Sequence, residues 1–157
     1  LAELEVEESR LPNEEKDIFT NGVGIFYKFH ETRPYMKTRF TYFQALQQLD
    51  THKSTKLQLE TLLDMLRLSC GDNMGVRDIV PGLMLRLNKD QECYDFIKWW
   101  MTKGQESNYA FGDTSLPYLN LKNEDACEEP EFFSLRSIHL LFAVHLTILK
   151  MKLLLDV

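Results

Sequence analysis

The chain has 157 residues, 44% of them hydrophobic and 27% charged, which is enough apolar material for a packed core at an ordinary charge density. Eighteen Lys and Arg against 24 Asp and Glu leave a formal net charge of −6, so broad nucleic-acid binding by phosphate neutralisation has no support. Three cysteines without a close pair argue against a disulfide scaffold and for a reducing intracellular compartment, cytoplasmic or nuclear.

Residues 1–17 carry seven acids and two bases and read as an acidic, solvated N-terminal segment. The start is acidic, at Glu3, Glu5, Glu7 and Glu8, so the basic-then-apolar pattern of a secretory signal is missing. Residues 18–103 hold nine acids and twelve bases, and here an apolar stripe recurs at helical spacing. Met36, Phe40, Phe43, Leu46 and Leu49 form the first stripe, and Leu59, Leu62, Leu63 and Leu66 the second. Val76, Ile79, Val80, Leu83 and Leu87 form the third, and Cys93, Phe96, Ile97 and Trp100 the fourth. Short links at residues 50–55, 71–73 and 88–90 force neighbouring helices antiparallel.

Cap residues agree with these limits. Ser54 or Thr55 can open the second helix and Asp72 or Asn73 the third, while Gly71 suits a left-handed terminus after Cys70. Pro81 falls inside the third stripe, where its missing N–H predicts a kink or an opened turn. A shift of 34 positions carries Leu59, Leu62, Leu63 and Leu66 onto Cys93, Phe96, Ile97 and Trp100, the spacing of tetratricopeptide-type hairpins. The fold class is therefore all-α, with antiparallel hairpins stacked in a tetratricopeptide-like way into one domain.

Residues 104–133 carry seven acids and one base and read as an acidic loop, either solvated or lying against the basic middle block. Residues 134–157 read as a long C-terminal helix packed on the repeat region. Arg136, His139, His145, Lys150 and Lys152 interrupt it, and its uncharged core is too short for the roughly 18–20 residues a membrane span needs. Leu135, Ile138, Phe142, Leu149 and Leu153 make one stripe, and Leu140, Leu141, Val144, Leu146 and Ile148 fill the opposite side. Such a helix must be buried on several faces, which predicts an exposed apolar patch or a helix-mediated homodimer. The uncapped end at Asp156-Val157 reads as the edge of a longer protein.

The segment Gly71-Asp72-Asn73-Met74-Gly75-Val76-Arg77, followed by Pro81, Leu83, Leu85, Leu87 and Asp90-Gln91-Glu92-Cys93-Tyr94-Asp95-Phe96, resembles degenerate tetratricopeptide-like hairpins. Together with residues 31–36 and 147–156 it resembles a module of fungal proteins in which a helical region accompanies a MYND-type zinc finger. That finger needs seven cysteines and one histidine in close pairs. Cys70, Cys93 and Cys127 are far apart, so no zinc ligand is carried onto this chain and no metal or cofactor is expected.

Catalytic signatures are missing too. His30, His52, His139 and His145 have no spaced carboxylate or cysteine partner, and Gly22-Val23-Gly24 has no phosphate-loop lysine. The candidate partner-binding residues are Arg77, Tyr94, Trp99, Trp100, Leu141 and Ile148. Trp99 and Trp100 lie 100° apart on a helix, so one covers a neighbouring helix or the returning loop, or anchors a partner. The residue one turn after Arg77 is Pro81, which donates nothing, so a carboxylate clamp is not expected. The sequence thus reads as a non-enzymatic interaction scaffold that binds a protein, a peptide or the rest of its parent chain. The alternative is a helical support for an enzyme whose catalytic or zinc-bearing part lies elsewhere.

Overall fold

The computed structural model describes residues 2–10, 18–132 and 139–155. Among them the fold is all-α, with one isolated antiparallel bridge between Ile25 and Ser69. The seven α-helices of the described residues are α1 (Ala2–Arg10), α2 (Ile18–Asn21), α3 (Arg33–Gln47), α4 (His52–Leu68), α5 (Val80–Arg86), α6 (Asp90–Met101) and α7 (Leu140–Leu155). Where the sequence reads as one domain, the chain divides into two compact units. One holds residues 1–77 and 110–116, the other 78–109 and 117–157.

The first unit is built on the α3–α4 hairpin. Pro34 sits in the opening turn of α3, where a missing N–H costs no helical bond. The helix buries Tyr35, Met36, Phe43 and Leu46 and stops at Gln47. Leu49, placed on the stripe by periodicity, therefore lies past the helix end and is 58% exposed. Helix α4 starts earlier than the expected caps Ser54 and Thr55. Thr51 is the N-cap: its hydroxyl accepts from Ser54 N at 3.1 Å, and Ser54 Oγ accepts from Thr51 N at 3.3 Å. This reciprocal box stabilises the helix by about 1 kcal/mol. The buried Gln58 amide donates to Leu46 O at 3.2 Å, and Arg39 pairs with Asp64 at 2.8 Å, fastening the two helices together. Helix α1 packs against α3, so the acidic N-terminal stretch is partly helical rather than wholly a solvated tail. Residues 11–17 of that stretch lie outside the described residues.

The left-handed position after α4 is Asp72 (φ 50°), not Gly71. From there the Asp72 carboxylate accepts from Val76 N at 2.8 Å and Arg77 N at 3.1 Å. It caps a 3-10 turn, Val76–Asp78, instead of the long third helix that the stripe suggests. Helix α5 begins only at Val80, with Pro81 in its first turn. The expected kink is absent for that reason: the proline's missing donor falls where a helix has no acceptor for it.

In the second unit, α5 and α6 form a hairpin and α7 packs on both. Leu83, Met84, Cys93, Phe96, Ile97, Phe142, Leu146 and Leu149 are buried where these helices meet. The stretch Ser134–Ser137 and Ile138 of the expected C-terminal helix, and its end at Asp156-Val157, lie outside the described residues. Phe142 and Leu149 are buried as the stripe requires, but Leu146, assigned to the opposite side, is buried too. No helix among the described residues is long and apolar enough to cross a membrane.

Candidate functional site

Helix α7 has a dry side and a wet side, and the wet side is unusual. Its exposed positions are Leu140, Leu141, Val144, Thr147, Ile148, Met151, Leu154 and Leu155, seven of the eight apolar. Individual exposures run from 45% at Val144 to 81% at Leu155. Together they present on the order of 700 Å² of apolar surface, above the roughly 300–600 Å² of the largest patch on a typical monomer. The helix is this apolar all round because its two lysines serve the protein and not the solvent. Lys150 Nζ donates to the carbonyls of Ala126 and Glu128, and Lys152 Nζ pairs with Asp90 and Asn88 at 2.8 Å each. The predicted sites Leu141 and Ile148 lie on this face, 49% and 48% exposed.

Behind the face, the loop that follows α6 is latched by a charged network. Lys98 Nζ donates to Glu124 at 2.7 Å and to Glu128 at 2.6 Å, and the Tyr94 hydroxyl donates to Glu128. The two carboxylates raise the Lys98 pKa, while Lys98 first and Tyr94 second hold Glu128 below its ordinary value. Burial, reinforced by the bond to Glu128, pushes the Tyr94 phenol up. The buried Asp95 carboxylate accepts from Asn123 N at 2.9 Å, Glu124 N at 3.0 Å and Gln91 Nε2 at 3.0 Å. An acidic loop held by basic side chains is one of the two readings of residues 104–133. One of the cations, Lys98 on α6, belongs to the middle block, and the other, Lys150 on α7, lies outside it.

The same loop takes up the aromatic candidates. Tyr94, Trp99 and Trp100 are 0%, 0% and 2% exposed, so they are core residues of this unit and offer no surface to a partner. Both tryptophans are buried because the returning loop supplies a second wall, one of the alternatives that the sequence left open for this pair. Trp99 meets Tyr118 edge-on at 5.0 Å and Tyr109 at 5.5 Å, and its indole donates to Asn120 at 3.2 Å. Gly104 makes room for this: a Cβ there would lie 2.8 Å from the Trp100 ring. The remaining candidate, Arg77, is in the first unit, half-buried, with its Nε 3.7 Å from Asp72.

A crevice lined by Met36, Met65, Ser69, Asp72, Asn73, Met74 and Val76 is too shallow to enclose a water molecule and has one titratable group among its residues. Ligand pockets usually span roughly 300–1,000 Å³. Among the described residues no three His, Cys, Asp or Glu side chains gather closely enough to hold a metal ion. His139 and His145 both approach the start of α5, His139 Nδ1 lying 3.9 Å from Asp78 and His145 packing on Gly82. The nearby thiol of Cys93 is pushed up to about 12 by burial, so it is no nucleophile.

No protein-family model matches the chain, and no curated protein or solved structure matches it.

Proposed function

We propose that this chain is a non-enzymatic protein-interaction module whose working surface is the exposed side of α7. The observation that carries this reading is the apolar character of seven of the eight exposed positions on that helix. A soluble surface of that size loses water-contacting apolar area only by meeting another polypeptide or a comparable apolar body. The latch formed by Lys98, Lys150, Glu124 and Glu128 supports the same reading, because it holds the other side of α7 rigid and leaves one face to present. The tetratricopeptide-like stacking of the two hairpins and a parent protein of the MYND-finger type belong to this proposal as well. They rest on the sequence pattern at residues 72–96 and the 34-residue spacing.

The test is a photo-reactive amino acid placed at position 148 of the full chain in its native cells, with position 60 on α4 as control. Efficient cross-linking to a polypeptide at 148 and not at 60 is expected. Absence of any polypeptide adduct at 148 would overturn the proposal.

A further inference from the structure

Five of the six lysines in the second unit hold a partner. Lys89 pairs with Glu92 at 2.7 Å, Lys103 with Glu106 at 2.9 Å and Lys152 with Asp90 at 2.8 Å, while Lys98 and Lys150 hold the loop. Lys122 is the sixth. It is exposed and makes no ion pair among the described residues, although residues 104–133 carry seven acids and no other base. Exposed ion pairs contribute little, so leaving this ammonium free costs the fold little. Its backbone, in contrast, is held on both sides. Asn120 Oδ1 accepts from the Trp99 indole at 3.2 Å before it, and the Asp95 carboxylate accepts from Asn123 N at 2.9 Å and Glu124 N at 3.0 Å after it. A free amine thus stands on a segment already anchored to α6, which lowers the ordering cost of presenting it to an enzyme.

The residues around it have a specific order, Leu121-Lys122-Asn123-Glu124. Of the eleven lysines in the chain, Lys122 alone has an apolar residue directly before it and a carboxylate two positions after. Conjugating enzymes of small ubiquitin-like modifiers read that tetrapeptide directly: the apolar side chain and the carboxylate align the lysine with the enzyme's thioester. The exposed acids Asp125, Glu129 and Glu131 follow, a charge pattern suited to a basic enzyme surface. We infer that Lys122 is an acceptor for a small ubiquitin-like modifier, delivered by a conjugating enzyme that reads Leu121 and Glu124. Lysine is the side chain for such a transfer because its amine, once deprotonated, is a compact nucleophile on a flexible stem. Lys122 Nζ gives a proton to solvent and attacks the carbonyl carbon of the modifier's C-terminal thioester. The C–N bond forms, the C–S bond breaks and the enzyme's cysteine leaves as thiolate, with nothing oxidised or reduced. Glu124 is held by Lys98 at 2.7 Å, but Lys98 also holds Glu128 at 2.6 Å. Releasing Glu124 to the enzyme therefore leaves Lys98 paired, and the latch competes with recognition without being destroyed by it.

The experiment incubates the purified full chain with the activating enzyme, the conjugating enzyme, the modifier and ATP, without a ligase. Initial rates are read on gels and the site by mass spectrometry of the branched peptide. One dominant conjugate at Lys122 is expected. Lys122→Arg keeps the charge and the exposed position, so it folds, and it should lower the rate at least about tenfold; Leu121→Ala and Glu124→Gln should each cost about tenfold as well. Lys98→Gln, which frees Glu124, should raise the rate about twofold or more. No conjugate while a control substrate is modified in the same mixture would overturn the inference. So would a ladder over several lysines that Lys122→Arg leaves intact. Modification at Lys122 that neither Leu121→Ala nor Glu124→Gln slows would overturn recognition through the tetrapeptide, and an unchanged rate for Lys98→Gln would overturn the competition with the latch.

Discussion

Replacing Asp95 by Ala tests whether the loop after α6 is held by one buried carboxylate. The side chain accepts three N–H bonds, two of them from the loop backbone at Asn123 and Glu124 and the third from Gln91. Hydrogen bonds to an ionised acceptor contribute about 1.5–3 kcal/mol each when desolvated. Asn123 is exposed and Glu124 half-buried, so freed N–H groups recover part of that from water. A loss of about 2–3 kcal/mol follows for Asp95→Ala, and about 1 kcal/mol for Asp95→Asn, whose amide oxygen still accepts part of the set. The assay is urea unfolding followed by tryptophan fluorescence, because both tryptophans of the chain, Trp99 and Trp100, report on this unit. With a slope of about 2 kcal/mol per molar urea, the Ala variant should unfold about 1 M earlier. Trypsin should also cut faster after the exposed Lys122 once the loop is released. An Ala variant within about 0.5 kcal/mol of the parent, an ordinary surface substitution, would refute the latch.

Three further outcomes follow. Gly82→Ala should destabilise by about 1 kcal/mol despite alanine's better helix propensity, since the new Cβ would lie 3.0 Å from His145 Nε2; His145→Ala in the same chain should reverse the penalty, as a double-mutant cycle in thermal melts would show. In a thiol titration of the native protein only Cys127 should react quickly, with the buried Cys70 and Cys93 following on unfolding; fast labelling of Cys93 would contradict its placement. Burial lowers the pKa of His145, partly offset by its bond to the Leu141 backbone and then by Asp78, so below about pH 6.5 the unfolded chain binds more protons than the folded one at this site. Stability should therefore fall as pH drops through the window between about 6.5 and the lower folded value, and His145→Gln should flatten that slope in chemical unfolding at stepped pH.

Helices α3 to α7 were legible in the residues, since an apolar stripe at a period of 3.6 is a local property that survives in any packing, whereas α1 lies in a stretch that read as an acidic solvated segment and α2 carried no stripe. Their ends were less so. Leu49 fits the stripe but follows the stop of α3, and Thr51 opens α4 because Ser54 can answer it, a reciprocity only the backbone path reveals. Pro81 shows the same dependence: the stripe runs through it, yet the left-handed turn at Asp72 ends one element and lets the proline begin the next.

The candidate site divided along a similar line. The exposure of Leu141 and Ile148 was legible because a helix apolar all round leaves one side uncovered where, among the described residues, α5 and α6 take up the other. For Trp99 and Trp100 periodicity, which counts a single core face, left open a neighbouring helix, the returning loop or a partner, and the loop at residues 102–132 supplies the other wall; Tyr94, named as a partner-binding candidate, is buried with them. That loop carries no periodic pattern of its own. It is held by Asp95 and Lys98, on one turn of α6, and by Lys150 of α7, which comes beside them only after the chain has folded. Local sequence chose the helices; which faces remained exposed depended on where an aperiodic, acidic segment found its counter-charges, and that is a property of the assembled unit alone.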